Sequence, residues 1–290
     1  MKKPECLLGL LVLLLITIVS ACGNGDETVP TTELKPTPTL TSSPIANTTL
    51  SPTPLPSPTP CNDKIDFPDS NLETVIREAI EKLSGDICQS DLEKLTAFNA
   101  NYANITDVTG LEYCINLDNL SLLGNQISDI SPLANLTNLT LLMLGENQIS
   151  DLTALSGLTN LNSLAIPTNG ISDISQLSQL TNLEVLWLMN NQITDISPLS
   201  NLTNLTTLFL GDNQISDLSS LSSLPKLTAL EIKSNEIADI APLVENGDLA
   251  EEDIVDLQGN PLSEISENVY VPQLEERGVT VFWGPLPESQ

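Results

Sequence analysis

The chain has 290 residues, which is enough for one or two domains. The 38 Asp and Glu residues outnumber the ten Lys and Arg residues, and the net charge of −28 disfavours nucleic acid and anionic lipid as partners. There is no histidine, so the commonest general base and the commonest zinc ligand are both missing.

Residues 1–21 have the pattern of a secretion signal. A basic start, MKK, precedes the apolar run LLGLLVLLLITIV, and small residues stand directly before Cys22. The four residues VSAC resemble the bacterial lipobox, in which the cysteine is acylated and becomes the new N-terminus. This resemblance implies lipidation at Cys22 and an extracytoplasmic protein, anchored to the bacterial cell membrane or the outer membrane. A transmembrane anchor is the alternative, but the apolar run is short for one.

Residues 22–60 are predicted to form a tether. Residues 23–60 hold nine of the 20 prolines and many Thr and Ser residues, so this segment has little to bury. Such a composition favours extended polyproline II structure, and at roughly 3.1 Å per residue it could hold a domain on the order of 100 Å from a membrane.

Residues 61–95 are predicted to form a helical N-terminal cap. A helix that starts at Asp69 or Ser70 would bury apolar side chains at helical spacing, namely Leu72, Val75, Ile76, Ile80 and Leu83. The sequence SDLE, from Ser90 to Glu93, has the pattern of a capping box and predicts a second, short helix.

Residues 96–262 contain a segment that recurs every 22 residues. The sequence NQISDISPL begins at Asn125 and returns, with substitutions, at positions 147, 169, 191, 213 and 235. A fixed period of this length is typical of a solenoid, in which each copy buries the leucines of its neighbours. The fuller unit, LxxLxxLxLxxNxIxDIxxL, is the leucine-rich-repeat pattern. It predicts an α/β fold with a parallel sheet on the concave face, turns or 3₁₀ segments on the convex face, and strands at residues 98–100, 120–122, 142–144 and the equivalent positions of later repeats.

Two polar columns accompany the leucines. The repeated Asn is predicted to bond backbone groups of the adjoining turn, which would produce a ladder of stacked asparagines. The repeated Asp, at positions 107 to 239, is predicted to cap free N–H groups of the convex turn. A metal site is the alternative for the Asp column, but no single repeat offers the several oxygen ligands that calcium needs. We therefore expect no metal and no cofactor.

Residues 263–290 are predicted to form the C-terminal cap. The sequence YVPQLEERG predicts a helical turn that ends at Gly278. A ninth strand at residues 279–281 would then close the stack.

The cap sequence IDFPDSNLETVIREAI, the following ITDVTGLEYC and the repeats resemble the internalin-type leucine-rich-repeat proteins of bacterial surfaces. The resemblance covers about residues 61–262. It implies the fold described above and a concave sheet face that binds a partner protein. No immunoglobulin-like domain is expected after the repeats, and a lipid replaces the sortase motif, so host invasion is not implied.

Three cysteines fall in or near the cap. Cys61 and Cys88 bracket the cap helix, and an extracytoplasmic compartment would permit a disulfide between them. Two free thiols are the alternative. Cys114 stands where later repeats have Leu, so it is predicted to be a small buried thiol.

The positions that do not repeat carry the functional prediction. Residues that flank the inward leucines face the concave surface, and those expected to be exposed and to bind a protein are Leu123, Met143, Val185, Trp187, Met189, Phe209 and Glu231. The two aromatic residues occupy one column in adjacent repeats and are predicted to touch. Glu146, Asp212 and Asp256 would add an acidic rim, which favours a partner with basic character.

No pattern for catalysis is present, since the sequence has no Ser/His or Cys/His pair, no glycine-rich phosphate loop and no CxxC. We therefore predict a monomeric binding protein rather than an enzyme. The predicted function is a lipid-anchored cell-envelope module that recognises another protein through its concave face. A glycan-binding adhesin or sensor that uses the same aromatic pair, and a structural envelope protein without a specific ligand, are the alternatives.

Overall fold

The structure is a computed structural model that describes residues 61 and 63–286. The predicted signal peptide, the lipidation site at Cys22 and the whole of the predicted tether lie outside the described residues. The described residues from 63 onward belong to one compact unit. Nine strands of this unit form a single parallel sheet in chain order. The strands are β1 (Ala97–Asn99), β2 (Asn119–Ser121), β3 (Leu141–Met143), β4 (Ser163–Ala165), β5 (Val185–Trp187), β6 (Thr207–Phe209), β7 (Ala229–Glu231), β8 (Ile254–Asp256) and β9 (Thr280–Phe282).

The register of the sheet follows the sequence period. From β1 to β7 each residue pairs with the residue 22 positions further on, as Asn119 does with Leu141. The step lengthens at the end of the sheet, where Ala229 pairs with Ile254 and Ile254 pairs with Thr280. The first eight strands begin one residue earlier than predicted and β9 begins one residue later. In β2 to β7 the buried leucine lies at the centre of the strand. The predicted leucine-rich-repeat solenoid is confirmed.

The N-terminal cap contains helices α1 (Ser70–Ala79) and α2 (Gln89–Leu92). Asp69 is the N-cap of α1, and one of its carboxylate oxygens, Oδ1, accepts the N–H of Leu72. Leu72 and Ile76 are fully buried, as predicted. The expectation for Leu83 was wrong, because α1 ends before it and its side chain is 78% exposed.

The capping box of α2 begins two residues earlier than predicted. The N-cap is Cys88 rather than Ser90, and the Asp91 carboxylate accepts the N–H of Cys88 at 3.1 Å. The same carboxylate forms an ion pair of 2.7 Å with Lys82. Asp91 therefore fulfils the role that the sequence pattern gave to Glu93, which instead accepts a hydrogen bond from Gln89.

Short helical segments form the layer opposite the sheet. They are Leu111–Tyr113, Ser131–Leu133, Thr153–Leu155, Ser175–Gln179, Ser197–Asn201 and Ser219–Ser223, all 3₁₀, and the α-helix α3 (Ala241–Glu245). The repeated Asp precedes these segments, and its carboxylate accepts the N–H of the residue two positions later. In one repeat the N–H of Thr153 donates to Asp151 at 2.8 Å. The predicted capping role of this column is confirmed. Between the two layers the leucines and isoleucines of each repeat, such as Leu120, Ile127 and Leu133, are completely buried.

The asparagine ladder is present as predicted. In Asn169 the side-chain oxygen accepts the N–H of Ile149 at 2.9 Å, and the side-chain nitrogen donates to the carbonyls of Leu144 and Pro167 at 3.1 Å each. Each asparagine thus joins its own turn to the preceding repeat. The residue before the ladder asparagine has a positive φ of 51 to 55° in five repeats, at Glu146, Thr168, Asn190, Asp212 and Ser234.

A second ladder was missed by the sequence analysis. Its asparagines are exposed or partly exposed, and each side-chain nitrogen donates to the carbonyl 23 residues earlier, as from Asn182 to Thr159 at 2.9 Å. Its other members with this bond are Asn116, Asn138, Asn160 and Asn204. This ladder could have been predicted from the sequence, because an asparagine recurs in the LTNL segment before each of several strands.

The C-terminal cap contains a π-helical segment, Ser266–Tyr270, and helix α4 (Val271–Glu276) before β9. Gly278 has a φ of 92° and ends the helical turn, as predicted. Among the described residues no helix is both long enough and apolar enough to cross a membrane.

Cys114 is a free, buried thiol, as predicted, and its burial raises the pKa to about 12. Such a thiol is inert at neutral pH. Cys61 and Cys88 are both disulfide-bonded. That they pair with each other remains a prediction.

Candidate functional site

The concave face of the sheet is the candidate site, and its middle column is formed by the last residue of each strand. In β2 to β8 these residues are Ser121, Met143, Ala165, Trp187, Phe209, Glu231 and Asp256. Parallel pairing places each of them directly beside the next. The column therefore changes along the solenoid from uncharged, non-aromatic residues, through two aromatic residues, to two acidic residues.

Trp187 and Phe209 touch, as predicted. Their rings are stacked with centroids 5.7 Å apart and planes 14° from parallel. The expectation that they are exposed was wrong, because each side chain is only 3% exposed, and Met143 is only 4% exposed. Neighbouring strands lie only about 4.8 Å apart. Large side chains of adjacent strands therefore cover one another and form a floor rather than a protruding patch.

Accessible apolar surface lies in the columns that flank this floor. Val185, Met189 and Leu123 are all partly exposed. Leu123 and Pro167 both approach the backbone of Gly145, where an added Cβ would lie 3.0 and 2.9 Å from their side chains. The glycine therefore lets two apolar side chains meet across a strand.

The acidic end of the column contains Glu231 and Asp256, which pair directly between β7 and β8. The side chain of Glu231 is 12% exposed and forms an ion pair of 3.5 Å with Lys233. Burial raises the pKa of Glu231 to about 7, although the nearby Lys233 charge opposes the rise. Burial also raises the pKa of Asp256, against the opposing effect of a hydrogen bond from the N–H of Gln258. This end of the floor thus holds carboxyl groups that are poorly compensated.

Two buried polar atoms of the column have no hydrogen-bond partner within the described part of the chain. They are Nε1 of Trp187 and Oε1 of Glu231. The contact between Oε1 and Lys233 is too long to be a good hydrogen bond. Most buried polar atoms in folded proteins have a hydrogen-bond partner. A donor and an acceptor without one in the same column therefore call for an explanation, and a bound ligand would provide it.

Metal-binding geometry is not found in the described residues, where no group of three or more Asp, Glu or Cys side chains could hold an ion. The carboxylates of the repeated Asp column are instead occupied by backbone N–H groups. In Asp151 and Asp217 hydrogen bonds from the hydroxyl and N–H groups two residues later lower the pKa. The column is therefore part of the turn structure.

Comparison with known proteins places this geometry in a family. The family model for leucine-rich repeats (2 copies) matches residues 159–201 and 203–245. The structure of internalin C2 from Listeria monocytogenes is 37% identical, with a TM-score of 0.68, over 75% of this chain and 94% of that one. The chain belongs to the internalin family. The resemblance predicted from the cap and repeat motifs is thus confirmed.

Other solved structures agree with this assignment. Internalin InlF from Listeria monocytogenes is 31% identical with a TM-score of 0.54, over 77% of this chain and 78% of that one. A leucine-rich-repeat protein from Leptospira interrogans is 23% identical with a TM-score of 0.55, over 68% of this chain and 56% of that one, and shares the fold. No protein of curated function matches the chain. Internalin-like proteins are surface or secreted bacterial proteins, and their repeats mediate protein–protein interactions.

Proposed function

We propose that this internalin is a lipid-anchored module of the bacterial cell envelope that recognises another protein through its concave face. The observation that carries the proposal is the sequence of the concave columns. Solenoid packing requires only the inward leucines, yet these columns hold partly exposed apolar residues above an aromatic floor, beside unsatisfied polar atoms. A contiguous apolar region on a protein with a charge of −28 is typical of an interaction site.

The buried aromatic pair alters the expected binding mode. A partner would contact Val185, Met189 and Leu123, which are partly exposed, while Trp187 and Phe209 support them from below. A glycan would require an open ring face for stacking. Each ring is only 3% exposed and one face of each is occupied by the other ring, which favours a protein over a glycan.

The concave face can be tested with paired charge substitutions. The immobilised full chain would be used to retain proteins from a native envelope extract. Val185→Arg places a charge on the concave face without emptying the core, and should abolish retention. Gln179→Arg makes the same charge change on the exposed 3₁₀ layer, and this control variant should retain the same proteins as the wild type. Equal retention by both variants would contradict the proposal, and no specific retention by the wild type would support a purely structural role.

The lipid anchor has its own test, because the supporting sequence VSAC lies outside the described residues. Expressed in a bacterium, the wild type should partition with membranes after processing at Cys22, and Cys22→Ala should remain unprocessed. Mass spectrometry that found an intact, unmodified Cys22 would contradict lipid anchoring while leaving the binding role open.

A further inference from the structure

The acidic end of the concave column has an arrangement that the repeat fold does not require. Phe209, Glu231 and Asp256 lie side by side on β6, β7 and β8. Because adjacent parallel strands are separated by about 4.8 Å, the two carboxyl groups are neighbours and the aromatic ring bounds them on one side. Asp212, on the turn after β6, adds a further negative charge that acts on Glu231.

The positive charge at this end of the column is insufficient for these acids. Lys233 is the basic group that acts on both Glu231 and Asp256, so one cation faces two carboxyl groups of the column. Its contact with Glu231 is 3.5 Å long and its side chain is 31% exposed. The side chain of Glu231 is only 12% exposed, so the pair is partly buried and its long contact compensates the carboxylate incompletely. A cation with better geometry could therefore replace Lys233 at Glu231.

The backbone accommodates the unsatisfied carboxylate. Oε1 of Glu231 lies so close to Gly211 that any Cβ there would collide with it. Glycine at 211 thus leaves room for a carboxyl group that lacks a hydrogen-bond partner. A buried carboxylate that one long ion pair compensates only in part opposes folding, and an apolar side chain would not carry that cost.

We propose that Glu231 and Asp256 form a receptor for an arginine side chain that a partner protein inserts beside Phe209. This inference rests on the proposed function and specifies the chemistry of the partner. The guanidinium group is planar and has five N–H donors, so it can bridge two adjacent carboxylates, whereas an ammonium group acts as a single point charge. The indole N–H of Trp187, in the same column, is also buried without a hydrogen-bond partner in the described part of the chain.

The small number of oxygen ligands favours an arginine side chain over a metal ion at Glu231 and Asp256. A small divalent cation would need several oxygen ligands at once. No such group exists among the described residues. The protein as a whole carries −28, which would attract a basic surface.

The site can be tested without knowing the partner. The probe is acetyl-arginine amide, titrated into the full ¹⁵N-labelled chain while backbone amide shifts are followed by NMR. We expect saturable shifts centred on residues 231 and 256, no saturable shift with the uncharged isostere acetyl-citrulline amide, and weaker binding of acetyl-lysine amide. Glu231→Gln and Asp256→Asn should each weaken arginine binding by about fivefold or more.

Glu184→Gln is the matched control, because it removes an exposed carboxylate just before β5 with the same change in charge. It should leave arginine binding unchanged. Unsaturable shifts with the arginine probe, or binding that Glu231→Gln and Asp256→Asn leave intact, would overturn the proposal. If a captured partner binds Glu231→Gln as tightly as the wild type but is lost with Val185→Arg, the concave-face function stands and the arginine receptor fails.

Discussion

Trp187 and Phe209 stack at a centroid distance of 5.7 Å on the concave face of the sheet, yet each is only 3% exposed. The centre of the proposed binding face is therefore buried like the core. Burying two aromatic rings contributes strongly to stability. If the proposed partner binds here, packing of the two rings would leave less side-chain freedom to lose on binding.

Replacement of the tryptophan should consequently reduce folding stability. Trp187→Ala is expected to lower the free energy of unfolding by about 3–5 kcal/mol, because it leaves a cavity beside Phe209. The measurement is chemical denaturation followed by circular dichroism. Trp283→Ala is the control, since Trp283 is 41% exposed and should cost about 1 kcal/mol or less. Equal losses in the two variants would contradict the buried position of Trp187.

The contribution of the inner asparagine ladder to folding stability should be measurable by replacing a single asparagine. Asn169→Ala removes an acceptor for the N–H of Ile149 and a donor to two carbonyls, so it should destabilise the protein by about 1–3 kcal/mol. Thermal unfolding would report the loss. Asn182→Ala, from the exposed ladder, removes one hydrogen bond to Thr159 and should have a smaller effect. An unchanged melting temperature for Asn169→Ala would show that the inner ladder does not contribute to stability.

Periodicity predicted most of the fold, and the exceptions have local causes. The 22-residue period fixes which residues pair between strands, and the Asn and Asp columns follow from it because each repeat presents the same backbone groups. Exposure on the concave face does not follow, because it depends on the sizes of the neighbours, and Trp187 is covered partly by Phe209. Leu83 fits the helical spacing of the cap, but helix α1 ends four residues before it.

Backbone strain in the turn column offers a route to higher stability. Thr168 has a φ of 55°, which is unfavourable for a β-branched residue, whereas the equivalent position is Asn190 in the next repeat and Gly124 in an earlier one. Thr168→Asn should therefore raise the free energy of unfolding by about 0.5–1 kcal/mol. Thr181→Asn, at an exposed position without positive φ, should give no gain in the same denaturation assay. A gain of equal size at both positions would exclude relief of strain.

The Asp69 carboxylate should link the cap to the first repeat in a pH-dependent manner. It caps α1 and also accepts the N–H and hydroxyl of Thr106 at 2.8 and 2.9 Å. Burial alone would raise the pKa of Asp69, but these hydrogen bonds outweigh it and hold the pKa below its ordinary value. The stabilisation is thus present at neutral pH and is lost as the pH falls through the lowered pKa.

Asp69→Ala should therefore destabilise the protein at pH 7 by about 2 kcal/mol or more, with a difference that shrinks in acid. Urea denaturation at several pH values would measure it. Asp66→Ala is the matched control, because the side chain of Asp66 is 82% exposed and pairs only with Lys64 at the surface. A loss for Asp69→Ala that is the same at pH 7 and in strong acid would show that the carboxylate charge is not involved.

Glu231 should show the opposite dependence on pH. Burial raises its pKa from the ordinary 4.5 to about 7, so the folded protein binds this proton more tightly than the unfolded chain. The resulting stabilisation is complete below the ordinary pKa and is lost as the pH rises through the folded value. Glu231→Gln removes the titration but retains the shape of the side chain. Relative to the wild type, the variant should therefore gain stability between about pH 5 and pH 8, by at most about 3 kcal/mol.

The exposed Glu236→Gln, with the same change in charge, should follow the wild type across this range. A constant difference between Glu231→Gln and wild type from pH 5 to pH 8 would mean that the carboxyl group titrates alike in the folded and unfolded chain. A Glu231→Gln variant that is more stable than the wild type at high pH and also fails to bind the arginine probe would show that the Glu231 carboxylate lowers folding stability but provides the charge that binds the partner.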